Sequence, residues 1–570
     1  MSHPIDFLKR YETATEVFGK PMQADELRLR VSGIGWKGSL HRLAQLAAML
    51  EHATDEEVRQ RTVDPILRLT GNGLAAHGRG YVAEHRDQML IAHEEVILFL
   101  QHLVIMIGSE ADDAPDDPEL SLWILGANCH LEPWEEEGRR ELSATEQLVA
   151  VQARSRLFNT HPDRMNLVVR SRFMLRQPPP TGPLASSIEW QALQQEAFGA
   201  SMEAYYSDFL MPLFAASQLW GHRRADGTVD NPVIDADYWK SSRADRAWIK
   251  ERLDALTGTR ESLQAEIEQM LASNGLPRAP SALRRRPLVL VGNDMRVAAS
   301  PAALRTQLHT GVWAAYLNAT KRRHAKHAFQ IWSNCFGYLL EIWCANNAHQ
   351  AAGSRAFRTS WTMKTPSSPG AVDEIEDVIL LEDKTAILFS VKSALLPEKD
   401  IYRSKSKTAI MDWLERFLFS MDGDFKGALV KLDAKIVGIR NGKHIDQGMP
   451  PDVKIVPVLV TYEGLGEDVL FYRWIREQCR TRSLMAQHSV APMVFVDVEE
   501  FESLMAYAAE GRSLLGLMNK RKPNRPWYDR RMDQQLAQIS PRIPRSAEVR
   551  AMFNALVSEA MSSIKRPASV

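Results

Sequence analysis

Along the first 175 residues the apolar positions recur three and four apart, as in Leu43, Leu46, Met49 and Leu50 or in Leu148 and Val151. That spacing stacks side chains on one face of a helix, so the region from Pro4 to Leu175 reads as helical. Gln177-Pro178-Pro179-Pro180-Thr181-Gly182-Pro183 interrupts it, because each proline removes a donor and drives its predecessor toward extended geometry. A second helical stretch runs from Ser186 to Asn274 and stops at Asn274-Gly275, with Pro277 and Pro280 beyond. The most apolar run, Val96 to Gly108, is too short to cross a bilayer and contains Gln101 and His102; it reads as a buried helix.

After Pro280 the period changes. Pro287 to Val291 is a short β-branched run and Pro301 to Gln350 is again helical. Ile375 to Leu381 and Thr385 to Val391 are strand-like and are joined by Glu382-Asp383-Lys384, which predicts a hairpin. A helix from Ser406 to Leu432, a strand at Lys454 to Thr461, a helix from Glu467 to Arg482, a strand at Pro492 to Val498 and a helix from Glu499 complete a mixed α/β order. The fold class expected is α+β: a helical N-terminal domain over 1–177, a helical connecting domain over 184–280, an α/β domain with a central mixed sheet over 284–510, and a basic tail over 511–570.

With 570 residues the chain exceeds what one core organises. Its 70 basic and 71 acidic side chains nearly cancel, so net charge points to neither a polyanion nor a membrane. Locally the charge is split, acidic from Ser109 to Glu141 and basic from Arg512 to Arg550. Cys129, Cys335, Cys344 and Cys479 form no CxxC pair, which argues against a zinc site or a disulfide framework and for a reducing compartment. The first twenty residues lack the apolar core of a signal peptide, and a cytoplasmic location without a membrane partner is expected. The glycine-rich stretches Thr70 to Gly73 and His77 to Gly80 lack the Lys-Ser/Thr ending of a phosphate loop and read as turns.

Chemistry concentrates at the hairpin. Asp377 interrupts an apolar run on the first strand, and alternation puts Ser390 and Lys392 on one face of the second. Carboxylates to hold Mg²⁺ and a cation beside the attacked phosphate are what phosphodiester hydrolysis requires. Together with Gly337-Tyr338-Leu339-Leu340-Glu341 on a preceding helix, Glu376-Asp377-Val378-Ile379-Leu380 and Ser390-Val391-Lys392-Ser393 resemble the PD-(D/E)XK nuclease superfamily, whose core is a helix with a glutamate, a hairpin with Asp and (D/E)-x-K, a crossover helix and a further strand. The resemblance covers about 220 residues of the C-terminal half.

It implies Asp377 as central ligand of Mg²⁺ or Mn²⁺, Glu341 as a second acid, and Lys392 as the group that orients water and stabilises developing charge. Ser390 stands where the family has Asp or Glu. In some restriction endonucleases with Ser-x-Lys the acid comes from the following helix, and Glu398 or Glu415 would then supply it; loss of the metal is the alternative. Basic groups flanking these motifs, Lys321, Arg322, Arg323 and Lys326 on one side and Arg403, Lys405 and Lys407 on the other, are candidate phosphate contacts. The function expected is a metal-dependent DNA endonuclease, with RNA as a second candidate substrate. The helical N-terminal region would bind a partner protein, as in effectors or subunits of bacterial antiphage systems. The alternative is an inactive nuclease-like subunit that binds nucleic acid or protein.

Overall fold

In a computed structural model the chain forms two units, each assembled from separated stretches: residues 1–134, 204–312 and 556–570 make the first, and 135–203 with 313–555 the second. The residues described are 13–50, 74–85, 94–131, 141–159, 164–217, 232–234, 247–272, 274–277, 281–292, 294–352, 358–359, 376–393, 406–421, 426–445, 449–465, 469–518, 536 and 546–561. The class is mixed α+β, and the described residues form one four-stranded and one five-stranded sheet. No helix among these residues is long and apolar enough to cross a membrane.

In the first unit, strands β1 (Val233–Ile234), β2 (Thr257–Gly258), β3 (Leu288–Gly292) and β4 (Met295–Ala298) pair in the order β1-β4-β3-β2. The Pro287 to Val291 run, expected to open the α/β domain at 284, therefore belongs here. Val289, Val291 and Val297 join one core with Leu40, Leu43, Leu103, Val104, Trp123, Leu263 and Ile267, and a strand goes where its apolar side chains are covered. The expected boundaries at 177–184 and 280–284 are replaced by this interleaving. Helix Glu94–Ile107 is buried from Glu95 to Ile105. Two of its buried polar side chains are held by hydrogen bonds: Gln101 Nε2 donates to Ala299 O at 2.8 Å, and His102 lies 2.6 Å from Leu98 O while accepting from the Leu283 N–H at 3.4 Å. Burial pushes the His102 imidazole down to about 4, so the ring is neutral and its Nδ1–H donates. The His77 to Gly80 stretch, expected as a turn, lies inside helix Leu74–His85.

Helices of the second unit include α1 (Arg164–Arg176), α2 (Ala328–Ala352), α3 (Lys407–Phe419), α4 (Ala428–Arg440), α5 (Val469–Thr481) and α6 (Val498–Ala509). Its strands are β5 (Arg358–Thr359), β6 (Val378–Glu382), β7 (Thr385–Lys392), β8 (Lys454–Thr461) and β9 (Val494–Asp497), in that spatial order. The pairs β5–β6 and β6–β7 are antiparallel, and the pairs β7–β8 and β8–β9 are parallel. The hairpin turns through Asp383 at φ 53°, a left-handed conformation that a short polar side chain tolerates. The helix expected over 406–432 is split into α3 and α4, and Gly427 before α4 lies so close to the main chain of Leu418 that a β-carbon there would be 2.5 Å from it.

Parallel strands need cover on both faces. On one face Phe389 of β7 meets Phe501 of α6 edge to face at 5.2 Å; on the other, Ala386 and Leu388 pack with Leu432, Ile436 and Ile439 of α4. Arg170 of α1 is 1% exposed and donates to Glu502 Oε1 of α6 at 2.7 Å, and Trp343 Nε1 of α2 donates to the same oxygen at 2.7 Å. The guanidinium also stands 5.5 Å from the Tyr462 ring centroid and 3.6 Å from Glu499. Removing one partner of such a pair leaves a buried charge uncompensated. Arg170→Ala is therefore expected to destabilise the protein by about 3–5 kcal/mol in denaturant unfolding, whereas Arg170→Met with Glu502→Leu should lose less than the single change.

Candidate active site

The carboxyl ends of the three parallel strands lie together, with Lys392 in register with Thr461 and Thr461 with Asp497. In open α/β sheets this edge is where ligands bind. Ser390 and Lys392 alternate in phase with Ala386 and Leu388, so they project on the face covered by α4.

The antiparallel ladder between β6 and β7 ends at Val378 with Phe389. Two residues further on, the Val391 N–H points the same way and is taken by the Asp377 carboxylate, at 2.6 Å to Oδ2. Lys392 Nζ donates to that oxygen at 3.2 Å and to Val391 O at 2.9 Å. Oδ2 thus receives both bonds, and Oδ1 receives none among the described residues. Beside it Glu376 is built the same way: Oε1 accepts from Lys435 Nζ at 3.0 Å and from the Asp377 N–H at 3.2 Å, while Oε2 is buried without a hydrogen-bond partner. Thr461, fully buried on the next strand, also has an unpartnered hydroxyl oxygen.

These charges control one another. Burial opposes ionisation of Asp377, but Lys392, Lys435 and the Val391 N–H outweigh it and hold the carboxyl below its ordinary range. Burial and then the Asp377 charge push Glu376 up to about 7, against the pull of Lys435 and Lys392. Burial alone would lower Lys392, yet Asp377, Glu376 and Glu341 raise it. Lys431, one turn before Lys435 on α4, is lowered by partial burial and by the neighbouring Lys392 and Lys435; it is exposed and has no ion-pair partner among the described residues.

Of the residues singled out in the sequence, Asp377 and Lys392 are in contact, Ser390 is buried on their face of the sheet, and Glu341 on α2 is near enough for its charge to act on Lys392. One turn before Glu341, a β-carbon on Gly337 would lie 3.4 Å from the Ser393 hydroxyl, which sets α2 along the end of β7. Glu398, Arg403 and Lys405 lie outside the described residues. Glu415 is ion-paired to Arg482 at 2.7 Å beside Asp412, Arg416 and Phe419, and is not among the groups acting on Asp377 or Lys392. Among the described residues, the acid placed beside Asp377 is its predecessor, Glu376. Arg322 and Arg323 are engaged by Glu196 and Glu189, which reduces their use as phosphate contacts. Lys321 and Lys326 are exposed, and Lys407 is half-buried at the start of α3. Glu376, Lys431 and Lys435 were not singled out as site residues; the signals for them are an acidic pair at a strand start and two lysines four apart on the crossover helix.

Oxygen donors of this kind suit Mg²⁺, which keeps several waters and is held by one or two carboxylates. Among the described residues no three His, Cys, Asp or Glu side chains form a metal cage. Glu376 and Asp377 nevertheless each keep one oxygen unbonded, the donor type such an ion takes. No family model, curated protein or solved structure matches the chain.

An unfolded glutamate loses its proton near pH 4.3, at about its ordinary value, whereas Glu376 in the folded protein holds its proton up to about 7. Across that window the folded state binds more protons, so this group makes stability fall as pH rises. Glu376→Gln is expected to flatten that part of the Tm-against-pH curve, and an unaltered slope in the variant would locate the effect elsewhere. Asp377 acts in the opposite direction: its contribution is complete above about pH 4 and is lost as pH falls toward its depressed folded value.

Proposed function

We propose that the second unit is a PD-(D/E)XK-type nuclease domain that hydrolyses DNA phosphodiester bonds with Mg²⁺ or Mn²⁺. The observation that carries this reading is the Asp377 carboxylate, shared by Lys392 Nζ and the Val391 N–H at the carboxyl edge of the parallel strands. The order α2, β5, β6, β7, α3, α4, β8 supports it, since it contains the helix, the hairpin, a helical crossover and the further strand that the resemblance implies.

Asp377 and Glu376 would hold the cation, with Glu341 within electrostatic reach of the same edge. When bound, the ion supplies Lewis-acid polarisation of the scissile phosphate and offsets charge in the transition state. Lys392, with its side chain a quarter exposed, orients the attacking water and donates to the phosphate oxygen on which charge develops. Lys431, an exposed cation beside Lys392 and Lys435, meets the next phosphate of the backbone. We further propose that the first unit binds a partner protein and that the whole acts as an effector or subunit of a bacterial antiphage system in the cytoplasm; architecture alone supports this step.

A second reading has its own observation. Both carboxylates already pair with ammonium groups, Asp377 with Lys392 and Glu376 with Lys435. A site neutralised in this way suits a nuclease-like subunit that binds nucleic acid without cutting it.

Supercoiled plasmid, single-stranded DNA and RNA incubated with the full chain and Mg²⁺ or Mn²⁺ separate these readings. Cleavage is expected, reduced at least about a hundred-fold by Asp377→Ala with Lys392→Ala while binding persists. Binding without cleavage favours the second reading, and absence of binding at low salt overturns both. Lys431→Glu is expected to weaken binding uniformly across sequences and to reduce the slope of log K against log salt by about one.

A further inference from the structure

We propose that Glu376 supplies the acidic group whose usual strand position is occupied by Ser390, and that it does so through Oε2 as a ligand of the divalent cation. The inference rests on the nuclease reading and adds to it a residue that the motif does not predict. The side chain at position 390 is 1% exposed and neutral, so the strand itself offers no second carboxylate two residues before Lys392.

Glu376 has the geometry of a positioned ligand. Its side chain is fully buried, and one oxygen is fixed by two donors, Lys435 Nζ at 3.0 Å and the Asp377 N–H at 3.2 Å. The other oxygen, Oε2, is buried with no hydrogen-bond partner. Buried acceptors are nearly always satisfied, and an orphaned carboxylate oxygen calls for a counterpart such as an ion. Asp377, the next residue, repeats the arrangement, with Oδ2 fixed by two donors and Oδ1 left over. Ligating carboxylates are commonly held in this manner by outer hydrogen bonds that orient the free oxygen toward the cation. Lys435 is then a positioning residue, fixing Oε1 so that Oε2 is presented. Of the two acids that the sequence offered for the role, Glu415 is committed to Arg482 at 2.7 Å and Glu398 lies outside the described residues.

Binding of Mn²⁺ to the full chain at fixed pH, followed by loss of the free-ion EPR signal, tests the assignment without requiring catalysis. Glu376→Gln is expected to weaken Mn²⁺ at least about ten-fold, as Asp377→Asn does, and Glu415→Gln to leave it unchanged. Adding Ser390→Asp to Glu376→Gln should restore much of the lost affinity by returning the carboxylate to the strand. If Glu376→Gln does not fold, Glu376→Asp, which withdraws the carboxylate by one methylene, is expected to fold and bind Mn²⁺ at least about ten-fold more weakly. Wild-type affinity in a folded Glu376→Gln or Glu376→Asp protein, with Asp377→Asn impaired, overturns the role of Glu376 and leaves the nuclease reading standing. Mn²⁺ binding that is absent from the wild type, or indifferent to Asp377→Asn, overturns both.

Discussion

Strand β7 is buried from Thr385 to Val391, and only its last residue, Lys392, reaches partial exposure. Covering both faces of this strand is the constraint on which the second unit depends. Phe501 of α6 closes one face and Leu432, Ile436 and Ile439 of α4 close the other. Once both layers are in place, the ammonium at the end of the strand is surrounded by protein on most sides. A cation there is tolerable only with acceptors in contact, and Asp377 Oδ2 with Val391 O meets that need.

Burial also explains why the acids and bases of the site cannot be considered one at a time. Lys392 holds Asp377 ionised, Asp377 in turn raises Glu376, and Lys435 moderates the rise. Helix α2 extends this polar seam. Glu341 lies at the Lys392 end, Trp343 donates to Glu502, and Cys344 feels Glu502, Arg170, Asp377 and Glu341 together, with burial the largest reason that its thiol is pushed up. One helix thus borders both the candidate site and the buried Arg170–Glu502 pair.

The chemistry available at the edge turns on a competition. Two ammonium groups and a divalent ion would share the same pair of carboxylates, and each carboxylate already divides its oxygens between fixed bonds and an unbonded lone position. An arrangement with both oxygens consumed by lysine would suit binding alone. The proposed hydrolysis depends on those unbonded oxygens being open to the ion.

Local pattern was enough to predict the hairpin, its Asp383 turn region, the shared face of Ser390 and Lys392, and the helix bearing Glu341, because alternation and helical period depend on neighbours in sequence. The same local order cannot show which apolar face will cover a strand. The valines of β3 joined the core of the first unit rather than the five-stranded sheet, and the domain boundaries moved with them. Nor does it show that Glu415 pairs with Arg482, or that Glu376 ends with one oxygen tied to Lys435 and the other untied. Those outcomes depend on contacts between residues 59 and 67 positions apart in the chain. Sequence by itself determined the candidate chemistry and the strand that carries it; the tertiary structure decided that Glu376 and Lys435 are buried with Asp377 and Lys392, because only packing settles which charges are desolvated together.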